Sequence, residues 1–478
     1  MNEPVSPQIF EPVELPCGLV LPNRLVKAST YEHLAALFGG PPNSALHSLY
    51  ARWARGCWGM ICTGNVQVAA DHLTLGRDMV VPPGLDDREV APFTALAKAL
   101  HCSPDTLAIM QISHAGRQSP NILGGRSLFS PAVAPSAIAL GGHSRDGWLA
   151  RLLYRTLFPT PRELSSSEIN RVIERFIHGA KLAAAADFDG VELHAAHGYL
   201  LSEFLSVKTN ARDDVYSLHR EPLHLLNRIV TGIRDAVHRR FAIGVKLSSS
   251  DYIEASSTAG VNEQAAGEER ILGYIREIAT WGMVDFIEIS GGDYENPDFM
   301  LTSRQAFFAR FSRRARDAVQ GVPLSRRPLI LLTGGLRSAD MLQEVLEQKH
   351  ADLLGLARAA VLSPDLPARL AAGPGLAADT IFPRLPELTY PDTLIVSLLS
   401  RTLHLLGVLP LPKLIGAGVG MAWYTVMLRR LAEGRYVDYG VGGLGAVFRM
   451  WGPELRYFAA VVVLLIALVA LWAWPSRA

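Results

Sequence analysis

Asp189-Gly190-Val191-Glu192-Leu193-His194-Ala195-Ala196-His197-Gly198-Tyr199-Leu200-Leu201 opens as an apolar run of strand length and closes on two histidines and a tyrosine. His194 and His197 are three apart, and Tyr199 follows two later. Proton-exchanging side chains at the end of an otherwise buried strand are what a parallel-sheet scaffold presents at its carboxyl edge. On this stretch alone, a strand end with ordinary loop histidines reads equally well.

The same pattern recurs on either side. Apolar runs of strand length fall at 23–31, 59–68, 107–114, 241–248, 285–292, 329–335 and 352–358. Helical patterns separate them, and Ser165-Ser166-Ser167-Glu168 supplies caps for the helix entering the central stretch. Apolar strands flanked by amphipathic helices mean a parallel sheet buried on both faces. Eight such strands across about 23–370 predict an α/β protein, a (β/α)8 TIM barrel rather than an open doubly wound sheet. No strand leads into a G-x-G-x-x-G turn in dinucleotide context. The one literal match, Gly440, Gly442 and Gly445, opens no strand–helix–strand unit. Residues 1–22 are expected to form a hairpin lid closing the barrel bottom. Residues 118–166 are rich in Gly, Pro and Ser without a clear period, and read as a long loop or small excursion over the site.

The 478 residues carry a net charge of +1, so no basic excess points to nucleic acid. Cys17, Cys57, Cys62 and Cys102 form no C-x-x-C pair, which argues against a disulfide scaffold, a zinc site or an iron–sulfur cluster. The N-terminus shows no secretory signal, so a reducing compartment is expected for the catalytic part. Beyond about 388 the chain turns apolar. The run 458–474 is uncharged and matches the roughly 17–25 residues a bilayer span takes. Tyr457, Trp472 and Trp474 stand where an aromatic belt falls. A buried helix of a soluble domain is the alternative. The expected division is 1–388 as the barrel domain, 389–456 as an apolar helical extension and 457–478 as a single transmembrane helix. Within the extension, 411–427 is expected either to lie against a bilayer or to pack as helix. Arg429, Arg430, Arg435, Arg449 and Arg456 precede the run and Arg477 follows it, which keeps the barrel cytosolic on a single-pass anchor.

In a barrel the strand ends converge on one face. They carry Ser29, Thr30 and Tyr31; Gly64 and Asn65; Gln111 and His114; His194, His197 and Tyr199; Lys246; Gly334 and Gly335; Ala357 and Arg358. Two glycines after strand seven and an arginine after strand eight make a phosphate cradle, although Gly334-Gly335 alone is a plain turn. Lys246 is a cation either for an electron-rich cofactor ring or for a carboxylate such as Glu288. Gln111 either reads a ring edge or is a satisfied buried amide. A phosphate-bearing, ring-shaped cofactor beside a cation suggests FMN.

At these residues the sequence resembles the old yellow enzyme family of FMN-dependent ene-reductases, over about 7–370. The resemblance rests on His194-Ala195-Ala196-His197-Gly198-Tyr199-Leu200 with Glu203-Phe204-Leu205-Ser206, on His114-Ala115-Gly116-Arg117, on Asn23-Arg24-Leu25-Val26 and on Lys246-Leu247-Ser248. It implies FMN across the barrel mouth, NAD(P)H as reductant and no metal. Ser29, Thr30, Tyr31 and Asn65 would line the flavin, Gln111 its pyrimidine edge, and Lys246 the place of a residue that is often arginine. Gly334, Gly335, Ala357 and Arg358 would hold the phosphate. His194 and His197 would bond the carbonyl oxygen of a small, apolar α,β-unsaturated substrate, and Tyr199 would protonate it. The sequence departs from the family at Thr30, where methionine is common, at Ala357, where glycine is common, and at 217–223, where two glycines and a Glu-Asn-Arg triplet are lost. That loop is expected to fold differently. A flavin-dependent isomerase or dehydrogenase on the same site, and a membrane-attached flavin-binding protein with little catalysis, are the competing readings.

Overall fold

The apolar runs become strands because both faces of each are covered. The computed structural model describes residues 7–103, 105–127, 130–141, 148–249, 258–291, 305–372, 382–386, 388 and 413–451. The barrel strands are Leu25–Lys27, Met60–Cys62, Leu107–Ser113, Gly190–Ala195, Ala242–Ser248, Phe286–Ser290, Leu329–Thr333 and Leu353–Leu356. Each pairs in parallel with the next, and the eighth returns to the first with Leu354 opposite Leu25. That closure is the expected TIM barrel.

Side chains alternate along each strand. On strand four Val191, Leu193 and Ala195 join the core between sheet and helices, so Glu192 and His194 face the interior. The interior is layered. At the bottom, Val26, Met60, Ile109, Phe286, Leu331 and Leu353 pack with Leu15 and Leu21. Leu15 and Leu21 come from the antiparallel hairpin Val13–Glu14 and Val20–Leu21, which closes the barrel as expected. Fully burying a ring such as Phe286 contributes about 2 kcal/mol. It also makes glycine necessary at Gly244, where a Cβ would stand 2.1 Å from that ring. Above lies a polar layer, with Glu192 opposite Gln111 and Lys246 opposite Glu288. The top layer holds Ser248 and Ser290, which are cross-strand partners and both bond to His197.

Two segments gain detail that the sequence reading lacked. Residues 118–166 hold a helix, Trp148–Leu157, and a small parallel sheet of Val133–Ala134 with Arg162–Glu163. Tyr154 and Phe158 pack with Leu140 into a separate small core. The surrounding Gly, Pro and Ser obscure the one amphipathic period there. The loop at 217–223 folds without its family glycines because no residue in it has a positive φ. Polar bonds just upstream hold it. Asn210 donates to the carbonyls of Phe204 and Tyr216 at 2.8 and 2.9 Å, and Arg212 forks onto Asp214.

Beyond the barrel, helices Lys413–Ala432 and Gly443–Met450 pack on each other. The first also packs on helix Ser44–Ala54, which follows strand one, and on Arg358–Leu362, which follows strand eight. Ala422, Trp423 and Met427 are buried there, so 411–427 takes the helix-packing alternative over its described part. Among the described residues no helix is long and apolar enough to cross a membrane. The run 458–474, on which the transmembrane expectation rests, lies outside the described residues.

Candidate active site

The turn after strand four sets the site. His197 adopts φ +60° and Gly198 φ +74°, so the chain reverses and brings His197 back over His194. A non-glycine residue in the left-handed region costs about 1 kcal/mol or more, and such strain persists where surroundings hold it. Here the Ser248 hydroxyl accepts the His197 backbone N–H at 3.1 Å.

The side chains then form one continuous path. Ser290 Oγ lies 3.0 Å from His197 Nε2. His197 Nδ1 lies 3.0 Å from His194 Nε2, and His194 Nδ1 lies 3.0 Å from Asn65 Oδ1. Asn65 Nδ2 donates to the Tyr199 hydroxyl at 3.3 Å. With Asn65 in this orientation, its Oδ1 accepts from His194 Nδ1–H. His194 Nε2 then accepts from His197 Nδ1–H, and His197 Nε2 from Ser290. Burial first, then the charge of Lys246, holds His197 down to about 3. His194 is held well below the usual range by burial, then by His197 and Lys246. Both rings are therefore neutral near pH 7, and one proton lies between them. The Tyr199 ring meets His194 edge-on at 4.6 Å.

Below this path Lys246 and Gln111 both contact acidic side chains. Lys246 Nζ pairs with Glu288 Oε1 at 2.7 Å, and Gln111 Nε2 donates to Glu192 Oε1 at 2.6 Å. Both are engaged by carboxylates inside the barrel. Burial and Glu288 push Glu192 well above the carboxylate range, whereas Lys246 keeps Glu288 below it. The pair thus shares one proton, and with Lys246 charged the layer is neutral overall. Glu192 stands two before His194 in an otherwise apolar strand; that period was the available signal for it.

The strand-one residues sit over a second buried cluster that the sequence reading missed. Lys27 Nζ donates to Thr30 Oγ1 at 3.0 Å and to the Cys62 carbonyl at 3.2 Å, lies 4.2 Å from the Trp53 ring centroid, and is lowered to about 8 by burial. Tyr50 donates to Glu32 at 2.5 Å and accepts the Gly64 N–H at 2.7 Å. Thr30 is thus part of a hydrogen-bonded support, a role methionine cannot fill. Ser29 Oγ reaches Glu192 Oε1 at 3.5 Å, and Tyr31 reaches Asp78 at 3.5 Å. His114 accepts the Gly116 N–H at 3.1 Å, shaping its own turn.

The residues expected to cradle a phosphate, Gly334, Gly335, Ala357 and Arg358, line one cavity together with a further cation, Arg337. Gly334 and Gly335 take φ of +127° and +76°, conformations that suit glycine. Ala357 has φ −96°, so alanine sits there without strain. Arg337 Nε is buried without a hydrogen-bond partner. Neither Arg337 nor Arg358 pairs with a carboxylate among the described residues. Two guanidiniums without acid partners beside two glycine turns fit a dianionic phosphate. Arg337 follows Gly334-Gly335 by two, a spacing that puts it in the same loop.

A closed barrel with this cradle and a histidine–tyrosine cluster at its mouth defines an FMN-binding oxidoreductase scaffold. Residues 8–376 match the NADH:flavin oxidoreductase / NADH oxidase family, and the chain belongs to it. Its cofactors are FMN and NAD(P)H. The chain is 38% identical over 372 residues to the NADH-dependent flavin oxidoreductase iliE of Neonectria sp. (strain DH2), covering 75% of this chain and 46% of that protein. It is 36% identical over 370 residues to the iliE of Hypocrea jecorina (strain QM6a), covering 74% and 87%. Among solved structures it is similar to an old yellow enzyme homologue from Zymomonas mobilis, with TM-score 0.59, 22% identity and coverage of 80% and 98%. The latter likeness concerns the fold.

Proposed function

We propose that the protein uses NADH to reduce the C=C bond of an α,β-unsaturated carbonyl or similarly activated alkene. The observation that carries this reading is the convergence of His194 Nε2 and His197 Nδ1, 3.0 Å apart, beside the Tyr199 ring. Relatives named as NADH-dependent flavin oxidoreductases support the choice of reductant.

FMN, held by these residues, would supply the hydride chemistry that links NADH oxidation to reduction of the alkene β-carbon. The residues supply binding and protons. Gly334, Gly335, Arg337 and Arg358 hold the phosphate end. His194 Nε2 and His197 Nδ1 converge on one point, where a carbonyl oxygen takes the place of their mutual bond. As charge grows on that oxygen, N–H donors aimed at it stabilise the transition state more than the ground state. Only one proton lies between the two nitrogens. Two-donor binding therefore requires His194 to move its proton from Nδ1 to Nε2 while the Asn65 amide turns to donate to the vacated nitrogen. Tyr199, whose phenol O–H is a proton donor, delivers the proton to the α-carbon.

The test is an anaerobic one. NADH should bleach the yellow protein, and 2-cyclohexenone should restore the colour in a single turnover. Colour that bleaches but returns only with oxygen would remove the alkene from the reading.

Localisation is a separate proposal: the run 458–474 anchors the enzyme to a membrane with the barrel on the cytosolic side. Deleting 457–478 should move the protein from the pelleted to the soluble fraction, and an unchanged distribution in high salt would refute it.

A further inference from the structure

The family match ends at residue 376, yet the phosphate cavity does not. Phe382, Pro383 and Leu385 line it together with Gly334, Gly335, Arg337 and Arg358. Phe382 is buried. This short strap is tied to the helical hairpin beyond it: Tyr439 donates its hydroxyl to the Arg384 carbonyl at 2.9 Å. Tyr439 in turn leans on Trp423, with ring centroids 5.8 Å apart. Trp423 is fully buried and donates to the Val441 carbonyl at 2.9 Å. The helix carrying Trp423 packs on Arg358–Leu362, whose first residue is the cradle arginine.

We propose that the strap 382–385, clamped by the Lys413–Ala432 and Gly443–Met450 hairpin, is the outer wall of the FMN phosphate pocket and slows cofactor release.

The physical case has three parts. Phe382, Pro383 and Leu385 put apolar surface against a site whose opposite side offers two guanidiniums and glycine N–H groups. Excluding water there strengthens each phosphate–guanidinium interaction. The clamp also comes from beyond the barrel, so the wall can be loosened without altering a phosphate donor. Lastly, Tyr424 on the same helix lies in the field of both Arg358 and Arg337, and burial pushes its phenol up to about 12. It stays neutral and adds no charge to compete with the phosphate.

The experiment measures flavin dissociation from the full-length holoprotein by the fluorescence of released flavin, with FMN and with riboflavin, which lacks the phosphate. Two variants are used. Tyr439→Phe removes the clamp at a half-exposed side chain, and Leu385→Ser removes apolar wall. Losing one hydrogen bond's worth of support should raise the FMN dissociation rate about 3- to 10-fold in Tyr439→Phe. Leu385→Ser should raise it at least as much. Riboflavin dissociation should stay within about twofold, because the wall acts on the phosphate end. Unchanged FMN release in both variants overturns the proposal. So does equal acceleration of both flavins, which would make the strap a general packing element. No alkene enters the assay, so its outcome is independent of the proposed substrate class.

Discussion

Replacing Tyr199 by phenylalanine separates the two half-reactions. The ring stays, and with it the edge-on contact to His194 at 4.6 Å. What is lost is a hydroxyl that accepts from Asn65 at 3.3 Å. That bond is long, so its loss costs about 1 kcal/mol of stability or less. The chemical loss is far larger in one step alone. A positioned general acid contributes roughly 10²–10⁴-fold, so alkene reduction should slow by about that factor. Flavin reduction by NADH needs no proton from Tyr199 and should change by no more than about twofold. Stopped-flow absorbance of the flavin measures both steps, first on mixing oxidised protein with NADH, then on mixing reduced protein with enone. Reoxidation by oxygen serves as a control for flavin integrity. Equal slowing of the two half-reactions would falsify the assignment and make Tyr199 a packing residue.

Other outcomes follow from the same geometry. Arg337→Gln and Arg358→Gln should each weaken FMN binding by about 10- to 100-fold, since a hydrogen bond to a charged group is worth roughly 1.5–3 kcal/mol, with riboflavin affinity unchanged; fluorescence titration of apoprotein reads both. Lys246→Met leaves Glu288 buried without its cation and should cost about 3–5 kcal/mol, seen as a lower urea midpoint. Stability should fall as pH drops from 6.5 toward 3. The unfolded chain binds protons on histidine in that window, while native His197 does not until about 3. At pH 5 that histidine alone costs at most about 2 kcal/mol, and a flat urea midpoint from pH 7 to 4.5 would contradict the neutral pair. The double variant His194→Ala with His197→Ala should lose the long-wavelength charge-transfer band that a phenol produces with the wild-type holoprotein.

The strands were legible because burial on both faces forces apolar runs of strand length, and their alternation with amphipathic helices leaves few architectures. His194, His197 and Tyr199 were legible because they interrupt such a run at its carboxyl end. Gly334, Gly335 and Arg358 were legible as a candidate cradle because a phosphate would need backbone N–H groups and a guanidinium, and barrel order puts those two loops side by side. The helix Trp148–Leu157 escaped because one short period lies among turn-forming residues.

What the sequence determined by itself is therefore the barrel, its mouth and the types of group there. Tertiary structure decided how those groups are committed. Lys246 faces Glu288 and Gln111 faces Glu192 because strand register sets residues far apart in the chain side by side. The two histidines share one proton because a left-handed turn at His197 folds one ring onto the other. The strap at 382–385 reaches the phosphate loops because a hairpin beyond residue 413 docks on the seam between the first and last barrel helices. Composition reports how apolar such segments are; their neighbours are chosen by packing, which no local pattern encodes.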